Sequence, residues 1–241
     1  MADGVRTKPP VHAGTDPLGR GAPTVAALYV MQDGPYYGLD GVEPWGLPDR
    51  DARDYAGPWP VVAHPPCKRW GRYWSGGPSA KVKRKLGDDD GCFSAALFAV
   101  RRWGGVIEHP EASHAWRCFG IIRPPRGGGW VAAGDGIGWT CCVEQGHYGH
   151  RARKATWLYA AHVAVLPSLL WGRSAATVRL DSGFHTTEER RSSAREKRER
   201  MSGKELEATP LIFRDLLIGI ARSVGAREAS GNTERKTPCQ P

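Results

Sequence analysis

Val61-Val62-Ala63-His64-Pro65-Pro66-Cys67-Lys68-Arg69-Trp70 puts a thiol just beyond an apolar run. The three apolar residues predict the end of a buried strand. Two prolines then stop its ladder, because they fix φ and lack a backbone donor. Lys68 and Arg69 flank the cysteine, and nearby cations raise a thiolate fraction, so Cys67 is a candidate nucleophile. An isolated cysteine is as readily a small buried hydrophobe, so its meaning depends on what the chain brings to it. A second apolar pair, Val106-Ile107, runs into Glu108-His109-Pro110, repeating the order of strand, polar residue and proline. A carboxyl group at such an exit can act as a general acid or a charge partner. Further on, residues 144–154 form a basic turn carrying Arg151, Arg153 and Lys154. Cys141, Cys142, His147 and His150 are metal-ligand types, but adjacent strand residues point to opposite faces, and no metal site is assigned.

The elements that must hold these groups follow from periodicity. Phe93, Ala96, Leu97 and Val100 recur at helical spacing over residues 92–103, with Arg101 and Arg102 at the favourable end of the dipole and Gly104-Gly105 as the stop. Strand, helix and strand make a βαβ unit, which predicts parallel strands with Cys67 and Glu108 facing one pocket. Residues 25–30 predict an earlier buried strand, followed by a turn-rich loop at 33–38; ligands of open α/β sheets bind at such carboxyl ends. No G-x-G-x-x-G or P-loop occurs. Residues 49–55 are a short helix or loop, and residues 116–122 a short helix or strand. Strands at 139–143 and 155–160 predict a β-hairpin displaying Arg151 and Arg153. The polar loop at 74–90 holds Lys81, Lys83, Arg84 and Lys85, which suits either closure on a phosphate backbone or plain solvation. Residues 182–204 are a charged helix or a disordered segment. Thr209-Pro210 opens an amphipathic helix with proline at its first position and Leu211, Phe213, Leu216, Leu217, Ile220 and Ala221 on its apolar face.

The 241 residues, 40% of them hydrophobic, suffice for one core, and Gly 31 with Pro 19 implies many turns. Residues 1–23 are polar, lack the apolar centre of a signal peptide and read as a disordered arm, as do residues 227–241 as a tail. No apolar run is long enough to span a membrane, and the six cysteines are expected as reduced thiols of a cytoplasmic protein. A net charge of +9 favours a polyanionic partner, with nucleic acid first. Ten tryptophans, several beside arginines (Arg69-Trp70, Arg102-Trp103, Trp116-Arg117), can stack bases or fill a core.

Pro-Pro-Cys at 65–67, Glu-His-Pro at 108–110 and the 145–159 hairpin, in that order, resemble the catalytic half of DNA cytosine-5 methyltransferases, including phage-borne relatives. The intervening helix at 91–102 resembles that family's as well. The resemblance covers residues 60–160 and, weakly, the closing helix at 209–224. It implies a Rossmann-like methyltransferase fold at 24–226 with a mostly parallel sheet and a short or absent target-recognition domain. It further implies Cys67 as the nucleophile, Glu108 as the carboxyl group meeting the pyrimidine edge, and Arg151 and Arg153 holding the base and phosphate. DNA is the implied partner, with Lys68, Arg69, Lys81, Lys83, Arg84, Lys85 and Lys154 on its backbone. S-adenosylmethionine is the implied cofactor, against Tyr29, Asp33, Gly34 and Pro65. Three departures stand out: the family's aromatic-rich Asp-x-Phe-x-Gly-x-Gly loop is echoed only by Asp33-Gly34, His109 replaces an Asn that braces the nucleophile loop, and the segment between the hairpin and the closing helix is short, leaving little room for a large target-recognition domain. A different one-carbon donor, or a catalytically silent DNA-binding module, fits the same residues.

Overall fold

The computed structural model describes residues 24–76, 81–178, 180, 201 and 203–225. The expected arm at 1–23, most of the charged segment at 182–204 and the tail at 227–241 lie outside them. Seven strands form one mixed sheet: β1 (Val25–Leu28), β2 (Val42–Trp45), β3 (Val61–Ala63), β4 (Gly105–Pro110), β5 (Val131–Ala132), β6 (Gly138–Glu144) and β7 (Ala155–Ala161). Their order is β2-β1-β3-β4-β7-β6-β5. The first four are parallel, and β7, β6 and β5 continue antiparallel. Among the described residues, four α-helices accompany the sheet: α1 (Cys92–Trp103), α2 (His114–Cys118), α3 (Gly203–Glu207) and α4 (Leu211–Arg222). No helix among the described residues is long and apolar enough to cross a membrane.

Period-two alternation divides the core between the two faces of the sheet. Ala26, Leu28, Val61, Ala63 and Ile107 pack with Phe93, Ala96 and Val100 of α1 and Trp116 of α2. Val25, Ala27, Val62, Val106, Leu158 and Ala160 pack with Phe213, Leu217, Ile218 and Ile220 of α4. Each large side chain buried on α4 contributes about 1.5–3 kcal/mol relative to exposure, which holds a two-layer contact from the far end of the chain. Adjacent Cys141 and Cys142 fall on opposite faces, one in each cluster.

The βαβ crossover of β3, α1 and β4 is present, and β3 and β4 pair in parallel from Val61 against Gly105. Gly105 has φ +117, and a Cβ there would sit 2.0 Å from the Val61 carbonyl oxygen, so only glycine lets the strands begin this close. Several expectations need correction. The first strand ends at Leu28 rather than residue 30, because Tyr29 turns the chain with φ 60. Glu108 to Pro110 are not an exit but belong to β4, held there by pairing with β7. Pro210 caps α4 from outside the helix with ψ 144, which leaves Leu211 exposed and gives its place on the buried face to Ile218. Residues 116–122 resolve into the end of α2 and a loop, and β2 was hidden by its internal Pro44, which an edge strand tolerates.

Candidate active site

β1 leads outward to β2, and the chain then crosses back to β3 on the other side of β1. This reversal opens a crevice at the carboxyl ends of β1 and β3, the place where sheets of this kind take ligands. Because β7 runs antiparallel to β4, its start lies at that same edge, and so does the end of its partner β6. Four segments distant in sequence therefore meet there: the β1–β2 loop, the exit of β3, the end of β4 and the β6–β7 connection.

Alternation selects the side chains that converge. His64 continues the face of Val62, Glu108 that of Val106, and Thr156 that of Leu158, all toward α4. His64 Nδ1 lies 3.0 Å from Glu108 Oε2, and its Nε2 lies 2.8 Å from the Tyr36 hydroxyl. Gln145 Nε2 donates to Glu108 Oε1 at 3.1 Å and to Thr156 Oγ1 at 2.9 Å. The Thr156 hydroxyl in turn donates to the Lys154 carbonyl. Burial opposes ionisation of Glu108, but the His64 hydrogen bond and charge, with Lys154 and His109, outweigh it and hold the carboxyl down at about 2.

Cys67 follows at the turn beyond Pro65 and Pro66, where its carbonyl accepts from the Trp70 and Gly71 amides. The residue is exposed, yet its surroundings are poor for a thiolate: desolvation, then the Glu108 charge, raise the thiol pKa, while Lys154 lowers it. This corrects the expectation that Lys68 and Arg69 activate the thiol. Arg69 instead donates to the Trp74 carbonyl, and chain neighbours beyond a strand exit diverge. Lys154 is likewise not a solvent-facing phosphate contact. Its ammonium donates to the Ala208 carbonyl, and its pKa is lowered by burial against the pull of Glu108, Cys67 and Glu207. Of the hairpin's cations, Lys154 is the one whose charge bears on both Cys67 and Glu108. Arg151 pairs with Glu205 of α3 at 2.9 Å, and Arg153 is exposed.

On the opposite face, buried His109 stacks edge-on to Phe93 and lies near Trp116. Neither ring nitrogen has a hydrogen bond of normal length, and the Pro66 carbonyl is the backbone group that acts on the ring. Burial pushes its pKa down to about 4, so it packs as a neutral ring beneath the turn that leads to Cys67. The loop beyond Cys67 is clasped by Asp89, which accepts from the Trp70 indole at 2.7 Å and from the Phe93 amide at 2.9 Å, at the start of α1.

The residues named for S-adenosylmethionine lie in the β1–β2 loop, at its start, and at the exit of β3. Tyr29 packs on the α1 side and donates to the Cys92 carbonyl, Asp33 is exposed, Gly34 folds over the Met31 carbonyl and Pro65 is buried. Buried Tyr36 fills the crevice nearby. Lys81, Lys83, Arg84 and Lys85 are all exposed on the basic loop, as is Lys68. Tyr36, His64, Gln145 and Thr156 went unnoticed in the sequence. The signal for His64 was its i,i+2 relation to Val62 on a strand whose neighbour carries Glu108.

No family model, curated protein or solved structure matches the chain.

Proposed function

We propose that this chain modifies carbon 5 of a pyrimidine flipped out of DNA, most simply by cytosine-5 methylation through a covalent Cys67 adduct. The observation that carries this is the meeting of the Cys67 thiol, the Glu108 carboxylate and the Lys154 ammonium at one sheet edge, the thiol just beyond β3, the carboxylate on its parallel neighbour β4 and the lysine on the β6–β7 connection. Carbon 5 of a pyrimidine is a weak nucleophile until something adds at carbon 6. The Cys67 thiolate adds there, and the displaced electron pair moves into the ring toward N3. Glu108, oriented by His64 and Gln145, meets the N3 and exocyclic edge, and Lys154 offsets the charge. After transfer to carbon 5, loss of its proton expels the thiolate. The reacting edge is inaccessible in a duplex, so the base must leave the stack. The mixed sheet with its four parallel strands is compatible with a Rossmann-like methyltransferase fold.

The donor belongs to the proposal by class, as a one-carbon electrophile. S-adenosylmethionine is the simplest such donor, and a folate is the alternative to test beside it. The test is DNA carrying 5-fluorocytosine, whose fluorine blocks the final elimination. A denaturant-resistant protein–DNA adduct is expected with wild type and none with Cys67→Ser. DNA binding without any adduct overturns the enzymatic proposal in favour of a silent binding module.

A further inference from the structure

Tyr36, His64 and Glu108 form a hydrogen-bonded line leading away from the reacting edge, and the line bears on a problem of proton supply. Hydrogen bonding settles the state of Glu108 at rest. The Thr156 hydroxyl spends its proton on the Lys154 carbonyl, so toward Gln145 it can only accept. That fixes the Gln145 amide with its nitrogen inward, and Glu108 Oε1 is an acceptor. On the other oxygen, His64 Nδ1 sits at 3.0 Å with side-chain exposures of only 13% and 12% for the pair. Oε1 therefore accepts, and with its carboxyl held well below the usual range by His64, Lys154 and the other groups around it, Glu108 rests as a carboxylate. A carboxylate has no proton to give to N3 of a pyrimidine as electrons enter the ring.

We infer that His64 supplies that proton to Glu108, with Tyr36 as the residue that orients the imidazole. This rests on the reaction proposed above. His64 takes up a proton from solvent and becomes imidazolium. Its Nδ1–H bond breaks as an O–H bond forms on Glu108 Oε2, leaving a neutral imidazole with its proton on Nε2. Glu108 passes the proton to N3, and it returns by the same route when the adduct collapses. Through this cycle Nε2 changes from acceptor to donor. Tyr36 accommodates both, because a hydroxyl can rotate from donating to accepting at 2.8 Å; phenylalanine could do neither. The titratable and charged groups facing the line are Lys154, neutral His109 and the Cys67 thiol around Glu108, and Arg214 and Asp215 of α4 beside Tyr36. Tyr36 itself stays un-ionised because burial, reinforced by Glu108, pushes its pKa upward.

The test uses His64→Asn in the full chain, because the Asn amide nitrogen can replace the Nδ1 donor but cannot carry the proton. In the free protein, the 13C carboxyl signal of Glu108 should show a pH-dependent step in wild type that is lost in the variant. Absence of the step in wild type overturns the inference whatever the protein does to DNA. With 5-fluorocytosine DNA, the variant should bind with wild-type affinity yet form adduct about 10²-fold more slowly, without the fall in rate at high pH. A variant with wild-type rate and pH profile overturns the inference and reduces His64 to a hydrogen-bond donor. Tyr36→Phe should slow the same step with intermediate effect. A wild-type protein with the coupled titration but no adduct sinks the reaction and leaves the His64–Glu108 proton exchange standing.

Discussion

A thiol whose pKa is pushed upward is a poor nucleophile until a cation offsets its surroundings. For Cys67 that cation is Lys154, brought from the β6–β7 connection rather than from the adjacent positions 68 and 69. The thiolate fraction therefore grows only as pH rises through a value above that of an ordinary thiol. Alkylation of Cys67 by iodoacetamide, followed by peptide mass spectrometry, should accelerate with pH into the alkaline range. Lys154→Met should slow it roughly tenfold at a fixed pH below the midpoint, since the one favourable charge is gone. An unchanged rate would remove Lys154 from the thiol's environment. At this scale Cys67 and Glu108 were legible, because a reactive type at the end of an apolar run is a local pattern. His64, Tyr36, Gln145 and Lys154 were not, because each acquires its role from a contact made across strands.

Elements place these residues through a few junctions. Asp89 is one: its carboxylate accepts from the Gly91 and Phe93 amides at the start of α1 and from the Trp70 indole beyond the nucleophile turn. α1 lacks a side-chain cap at Gly91, so Asp89 serves in its place while tying the basic loop down at both ends. Asp89→Ala should cost about 1–3 kcal/mol in urea unfolding, the range for orphaned buried donors, and should lower adduct yield by loosening the turn that carries Cys67. Unchanged stability would show the clasp to be dispensable. The β3–α1–β4 crossover and the hairpin strands could be read from periodicity, since helix and strand periods are distinct over such lengths. β2 and the two-residue β5 could not: one contains proline and the other is too short to alternate.

For the whole molecule, charge is the property that composition reports most directly. The +9 balance says what class of partner is favoured but not where it docks. Lys81, Lys83, Arg84 and Lys85 stand exposed on the loop that follows Cys67. If they contact phosphates, replacing all four by glutamine should reduce the slope of log affinity for DNA against log salt by about 3 to 4, near 0.9 per contact. A slope identical to wild type would move the DNA surface elsewhere. The α/β class and the β6–β7 hairpin were accessible from sequence, whereas the antiparallel docking of β7 on β4 depended on a pairing partner that no local pattern names.

The packing of α4 also sets an order of events during synthesis. α4 covers β1, β3 and β4, its Arg214 donates to the Pro35 carbonyl in the loop that carries Tyr36, and Ala208 just before it receives Lys154. All of these contacts come from the last segment of the described chain to leave the ribosome. A nascent chain halted before residue 203 would have its thiol and carboxylate on the same sheet but an uncovered apolar face, a loose Tyr36 and an untethered lysine. The pocket in which Cys67, Glu108 and Tyr36 meet is thus completed only when translation has passed the closing helix.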